Sequence, residues 1–304
     1  MKINLKLLKR LYLIDHTSEQ EHVMISFILN YCYKIPHLTF EIDEERNIFI
    51  TKNTTNPDTY ACVVAHLDGV NDFYTNRELV ISNNIISARY ISSKIQCGLN
   101  ADDANGICCA LQLLETLPNL KVLFTTQEEI GGIGAKKACE NLIFFDDVRY
   151  CLQADRHGAH DLIYFTNGIR TAPENFIKDI QPVMDKYFYK LNTGTFTDVG
   201  VIANKLQIAG VNISCGYYHE HFTNEICDIV ELNNCLNFMY EVITSLDSSE
   251  TFYSTPVQQK SETSHSMWDD SPKEYDFTYG EPIPCETCSN QDCMNCKAFN
   301  EFHY

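Results

Sequence analysis

Residues 120–132 read LKVLFTTQEEIGG: an apolar, β-branched run, then two adjacent carboxylates, then two glycines. A short apolar run bounded by turn residues predicts a buried strand. Its mouth carries Glu128 and Glu129, whose charges repel strongly in low dielectric unless something positive faces them. Neighbouring strand residues point to opposite faces, so both glutamates reach one place only where the strand gives way to a turn; Gly131 and Gly132 supply that permissive backbone. The same grammar recurs outward along the chain. YACVVAHLD (60–68) and VRYCLQAD (148–155) are strand runs ending in His66 and Asp68, and in Asp155. LIYFT (162–166) and KLQIAGVNISCG (205–216) are further strand regions, and HLTFEIDEERNIFITK (37–52) reads as a hairpin. NGICCALQLLETL (105–117) sets Ile107, Ala110, Leu111 and Leu114 on one helical face. A helix opens at Pro173, with Pro182 expected to kink it, and DIVELNNCLNFMYEVITSL (228–246) is a closing helix. Ser18 to Glu21 has the pattern of a capping box for a helix running to about Cys32. Strands alternating with helices predict an α/β single domain, with a central mixed, mostly parallel sheet flanked by helices on both faces. Such sheets hold ligands outside the carboxyl ends of their strands.

The chain has 304 residues, 44% hydrophobic and 21% charged, with a formal net charge of −18. That charge argues against nucleic acid or an anionic membrane as a main partner and suits a protein that holds multivalent cations. MKINLKLLKRLYLI (1–14) interrupts its apolar residues with lysines and Arg10, so it reads as an amphipathic helix and not as a secretory signal. No segment approaches the roughly 20 apolar residues of a membrane span. With 14 cysteines and no such signal, the expectation is a reducing cytoplasm and free thiols. Cys62, Cys108, Cys109, Cys151 and Cys215 are expected as buried small hydrophobes. Residues 1–246 form the expected catalytic domain. Residues 247–304 read as an acidic Ser/Thr-rich tail, a candidate site for a protein partner, that carries Cys285, Cys288, Cys293 and Cys296 in C-x2-C-x4-C-x2-C. Two C-x-x-C knuckles are usual for a tetrahedral thiolate zinc site, but the four-residue separation is tight. A local zinc knot and a redox-sensitive or disordered cysteine tail both stay open.

Five segments thus end in metal-ligating residue types: His66 and Asp68, Asp102 and Asp103, Glu128 and Glu129, Asp155, and His219 and His221. Each has an ordinary explanation alone. Asp103 before a helix is an N-cap candidate, and a lone histidine is commonly a satisfied core residue. Together on one sheet edge, their acids would repel, and cations at the centre remove that cost. Imidazole and carboxylate suit Zn2+, and five ligands suit two divalent metal ions sharing a bridging carboxylate.

AHLDGV (65–70), NADDANG (100–106), TTQEEIGGIGA (125–135), QAD (153–155) and GYYHEHFTNE (216–225) stand in the order of the co-catalytic zinc exopeptidases. The chain resembles that superfamily over about residues 60 to 240, with motifs most similar to those of peptidase T. The resemblance implies metal ligands His66, Asp102 (bridging), Glu129, Asp155 and His221, with Asp68 hydrogen-bonded to the His66 imidazole and Glu128 as general base. It implies a cis peptide between Asp102 and Asp103. His221 precedes Glu225 by four residues, as the family's last histidine precedes an acid; His219, two residues away on a strand, would face the same side and is its rival. The gaps from Asp68 to Asp102 and from Asp155 to Thr197 hold no extra lid or dimerisation domain, which departs from peptidase T. Thr197 and Asp198 are candidates to line the site. Arg156 is either an ion pair behind the ligands or a contact for a substrate carboxylate. The expected function is a zinc-dependent aminopeptidase acting on a small peptide. A deacylase or dipeptidase on the same site, and an inactive peptide- or metal-binding protein on a peptidase scaffold, are the alternatives.

Overall fold

Strand-forming residues set the architecture. The run Tyr60–His66 is buried at all seven positions, as a strand covered on both faces must be. Its alternate residues divide between two cores: Ala61, Val63 and Ala65 join one cluster, Cys62 and Val64 the other. The structure is a computed structural model and describes residues 1–70, 76–246 and 252. In chain order its elements are α1 (Leu5–Tyr12), α2 (His22–Cys32), β1 (Leu38–Ile42), β2 (Ile48–Asn53), β3 (Tyr60–His66), β4 (Arg77–Ser82), β5 (Ile85–Tyr90), β6 (Gln96–Cys97), α3 (Ala101–Thr116), β7 (Asn119–Thr125), α4 (Ile133–Ala138), α5 (Leu142–Phe145), β8 (Val148–Arg156), β9 (Asp161–Thr166), β10 (Ile169–Arg170), α6 (Glu174–Tyr187), β11 (Lys190–Gly194), α7 (Asp198–Leu206), β12 (Ala209–Ser214), β13 (Tyr217–Tyr218), β14 (Ile226–Asp228) and α8 (Ile229–Ser245).

The main sheet runs β1-β2-β7-β3-β8-β12-β9-β10, with β11 on β9. Its centre, β7-β3-β8-β12, is parallel, and its margins are largely antiparallel. This is the α/β sheet expected from the sequence. Residues of α1, α3, α6 and α8 fill the larger core on one face; residues of α4, α5 and α7 fill the smaller core on the other. The four parallel strands bring their carboxyl ends to one edge. That edge holds His66, the Thr125 end of β7, Asp155 and Ser214.

A second, five-stranded sheet, β13-β14-β5-β4 with β6 on β5, was not foreseen. Its strands are short and weakly periodic, and three of them come from the gap between His66 and Asp102. Pairing of β13 with β14, and of β14 with β5, fixes both ends of the loop that carries His221.

The capping-box reading of Ser18 is corrected. Helix α2 starts after Glu21 with no side-chain cap, because Ser18 Oγ donates instead to Asp68 Oδ2 at 2.6 Å. Past the boundary expected at residue 246, Phe252 is buried against Tyr150 and Phe176, and its backbone pairs with Arg149 and Ala209. The cysteine cluster at 285–296 lies outside the described residues. Cys62, Cys108, Cys109, Cys151 and Cys215 are free and fully buried, as expected. Among the described residues, no helix is long and apolar enough to cross a membrane.

Candidate functional site

His66 ends β3. Its Nδ1 lies 2.9 Å from the main-chain oxygen of Asp68 and 3.5 Å from that residue's carboxylate. A carbonyl only accepts, so Nδ1 carries the proton and Nε2 is left to face the site. The acceptor that fixes the ring is therefore the Asp68 carbonyl, and the Asp68 carboxylate has other partners. Its Oδ1 accepts from Glu128 N at 2.9 Å and its Oδ2 from Glu129 N at 3.2 Å. Asp68 thus seats the turn that presents both glutamates. Although burial opposes it, His66 and these donors hold the Asp68 pKa below the ordinary carboxylate value.

His66 Nε2 is 3.1 Å from Asp102 Oδ1 and 3.5 Å from Asp155 Oδ1. The second oxygen of Asp102 is 3.2 Å from His221 Nε2, which is 3.1 Å from Glu129 Oε1. One carboxylate therefore faces two imidazoles, each accompanied by one further acid. All five sequence-predicted ligands come together. The Asp102–Asp103 peptide is cis, as the resemblance implied. Asp103 has an oxygen within 4.8 Å of ligand atoms of His66 and Asp155, but its oxygens accept from His66 N and Gly106 N, both at 3.0 Å, and so cap the part of α3 that follows the non-helical pair Asp102 and Asp103.

His219 does not join the cluster; it lines a neighbouring cavity. The two histidines do not share a side, because residues 219–221 form a turn, with His219 at φ 60° and His221 at φ 68°. Glu128 to Gly131 also form a turn, as the opening stretch required. Gly132 has φ 63°, and a Cβ there would collide with the Phe196 ring.

Burial drives the electrostatics. Burial, aided by nearby Asp155, Glu129 and Asp102, pushes Glu128 up to about 8. Burial and the Asp102 carboxylate push Asp155 up to about 8. For Asp102 burial is outweighed by His221 and His66, which hold its pKa below the ordinary value. Asp102 and Glu129 push His221 up to about 10. An excess of buried acid with histidine nitrogens among it is the donor chemistry of divalent cations. The sets Asp102, Glu129, His221 and His66, Glu128, Glu129 each place ligand atoms within 4.8 Å of one another. These residues fit the implied metals.

The cluster lines a cavity of about 430 Å³ that also includes Arg156, His157, Phe196, Thr197, Tyr217 and Glu220. Thr197 lines it as anticipated; Asp198, at the start of α7, is buried and accepts from Thr125 Oγ1. Arg156 both lines the cavity and approaches Asp161 at 3.5 Å. Several supports carried no sequence signal. Asn212 bonds both ways with the Asp155 backbone, at 3.0 and 2.8 Å, and Gln153 Nε2 donates to Asp155 Oδ2 at 3.0 Å. Glu225, marked only by its spacing from His221, accepts from the amides of Leu99, Asn100, Ala101 and Asp102 at 2.7 to 3.2 Å.

The sequence profile of peptidase family M28 matches residues 47–231. The chain belongs to peptidase family M28. This bears out the resemblance read from the motifs, and the matched span includes every residue of the M28 chain's candidate site. Among solved structures, a tripeptidase of Staphylococcus aureus superposes with a TM-score of 0.65 at 16% identity, covering 80% of this chain and 98% of its own. Aminopeptidase PepT of Bacillus cereus gives 0.66 at 15% identity, with 80% and 99% covered. An aminopeptidase of the archaeon Desulfurococcus kamchatkensis gives 0.65 at 15%, with 80% and 95% covered. At these identities the likeness is one of fold. No curated protein matches the M28 chain.

Proposed function

We propose that the protein is a metal-dependent exopeptidase of the aminopeptidase type, hydrolysing the peptide bond next to the free amino terminus of a small peptide. His66 and Asp155 would hold one divalent ion, Glu129 and His221 the other, with Asp102 shared. The donor set suits zinc; cobalt and manganese use the same ligands. The observation that carries the reading is the position of Asp102, with one oxygen 3.1 Å from His66 and the other 3.2 Å from His221. When bound, such a pair of ions lowers the pKa of water and polarises a carbonyl.

The protein's own groups do the rest. Glu128 takes a proton from the water that attacks the carbonyl carbon, then delivers it to the amine nitrogen as the C–N bond breaks. Asp68 holds the amides of Glu128 and Glu129 and so fixes base and ligand relative to each other. Its carbonyl keeps His66 in the tautomer that leaves Nε2 free.

The test is hydrolysis of an aminoacyl-anilide with and without chelator, together with metal analysis. Chelation is expected to abolish hydrolysis and zinc to restore it. Cleavage of N-acyl amino acids alone would assign a deacylase. Two bound ions with no amide hydrolysis at all would favour a binding protein.

A further inference from the structure

Among the described residues lining the cavity, Arg156 is the one permanently cationic side chain. Its neighbour Asp155 lines the cavity too, although successive strand residues normally face opposite ways. The sheet register explains this. Gln153 pairs with Asn212 and Arg156 with Ser214, so two residues of β8 oppose one of β12. A bulge of this kind re-aims side chains at a strand end. Among the described residues the guanidinium has one carboxylate in ion-pair range, with Nη2 3.5 Å from Asp161 Oδ2, and its buried Nε has no hydrogen-bond partner. A bonded Arg–carboxylate pair stands closer, at about 2.7–2.9 Å. A guanidinium with five donors and one loose contact retains capacity for a second carboxylate.

His157 Nδ1 and Glu220 Oε1, 2.6 Å apart, line both this cavity and a second one of about 490 Å³. A volume of about 430 Å³ falls in the range of small-ligand pockets.

We infer that Arg156 is a specificity-determining residue that binds the free carboxylate terminus of a short peptide, which makes di- and tripeptides the substrate class. This rests on the exopeptidase reading above.

The test compares kcat/KM for trialanine and for its C-terminal amide, using the metal-loaded full chain. The wild type is expected to prefer the free acid by roughly 10- to 100-fold, the worth of a charge-assisted contact, chiefly through KM. In Arg156→Gln the acid-to-amide ratio falls close to 1; in Arg156→Lys part of the preference survives, because charge remains but the planar fork is lost. A merely structural arginine would slow both substrates alike and leave the ratio unmoved. Equal rates on acid and amide in the wild type, or an unchanged ratio in Arg156→Gln, overturn the inference and leave the exopeptidase reading standing. Hydrolysis of neither peptide overturns both. If Arg156→Gln does not fold, Asp161→Asn is read instead: removal of the competing carboxylate raises the ratio, and a ratio that stays put overturns the inference.

Discussion

Glu128 and Glu129 are adjacent and chemically identical, yet their surroundings separate them. Glu129 lies 3.1 Å from His221, whereas Glu128 is more deeply buried, and that burial pushes it up to about 8. Replacing Glu128 with Gln preserves shape and removes the base. Metal content should stay at the wild-type level while kcat falls about 10²- to 10⁴-fold; steady-state kinetics with metal analysis checks it, and full activity would remove Glu128 from its role. His66, Glu129 and Asp155 were legible from sequence because each follows an apolar strand run, where a charged residue has few ordinary reasons to sit; Asp102 and His221, on loops, were legible only from the motifs around them. What escaped depended on backbone direction. The carbonyl of Asp68 bonds to the imidazole while its carboxylate reaches two amides, and His219 was separated from His221 only by a turn with positive φ. No periodicity encodes either.

The central strands were readable as unbroken apolar runs, because both of their faces are buried, and the long helices by their 3.6-residue period. The small second sheet was not, since its strands are short and mostly part-buried, with no regular alternation. That sheet nevertheless anchors the loop of His221 and leads to Glu225, whose carboxylate gathers the four amides of residues 99–102, the last that of Asp102. Glu225→Ala leaves those buried donors unpaired. It is expected to cost about 3 kcal/mol and to weaken metal binding, which denaturant unfolding and metal titration measure. Glu225→Gln, which can still accept two of the bonds, should be milder. Phe252 makes a similar case for the chain after α8. It fills a space between Tyr150 and Phe176, and Phe252→Ala should destabilise by about 3–5 kcal/mol. A midpoint shift below 1 kcal/mol would show that the core does not depend on it.

The whole molecule converts strand order into charge density. Parallel packing of β7, β3, β8 and β12 brings three acid-bearing strand ends to one edge, and loops add Asp102 and His221. Without metal, this arrangement makes stability depend on pH. Glu128 and Asp155 are pushed up to about 8, against about 4 in an unfolded chain. Between those values the folded chain holds protons that the unfolded chain has released, so metal-free stability falls as pH rises from about 4 to about 8. His221, pushed up to about 10, adds to the same slope above about pH 6.5. Asp102 runs the other way, but its contribution is complete above about pH 4. Ions paired with these groups remove the cost. Chelation should therefore lower Tm more at pH 8 than at pH 5.5, by differential scanning calorimetry; an equal drop at both would contradict the electrostatic origin of the site.

The most direct measurement is the number of divalent ions bound per chain, by mass spectrometry of the intact folded protein or elemental analysis. Two per wild-type chain are expected, one in His221→Ala, and fewer than one in Asp102→Ala, since both ions share that carboxylate. A wild-type chain that binds none, or an Asp102→Ala chain that still binds two, would contradict a metal pair gathered by His66, Asp102, Glu129, Asp155 and His221.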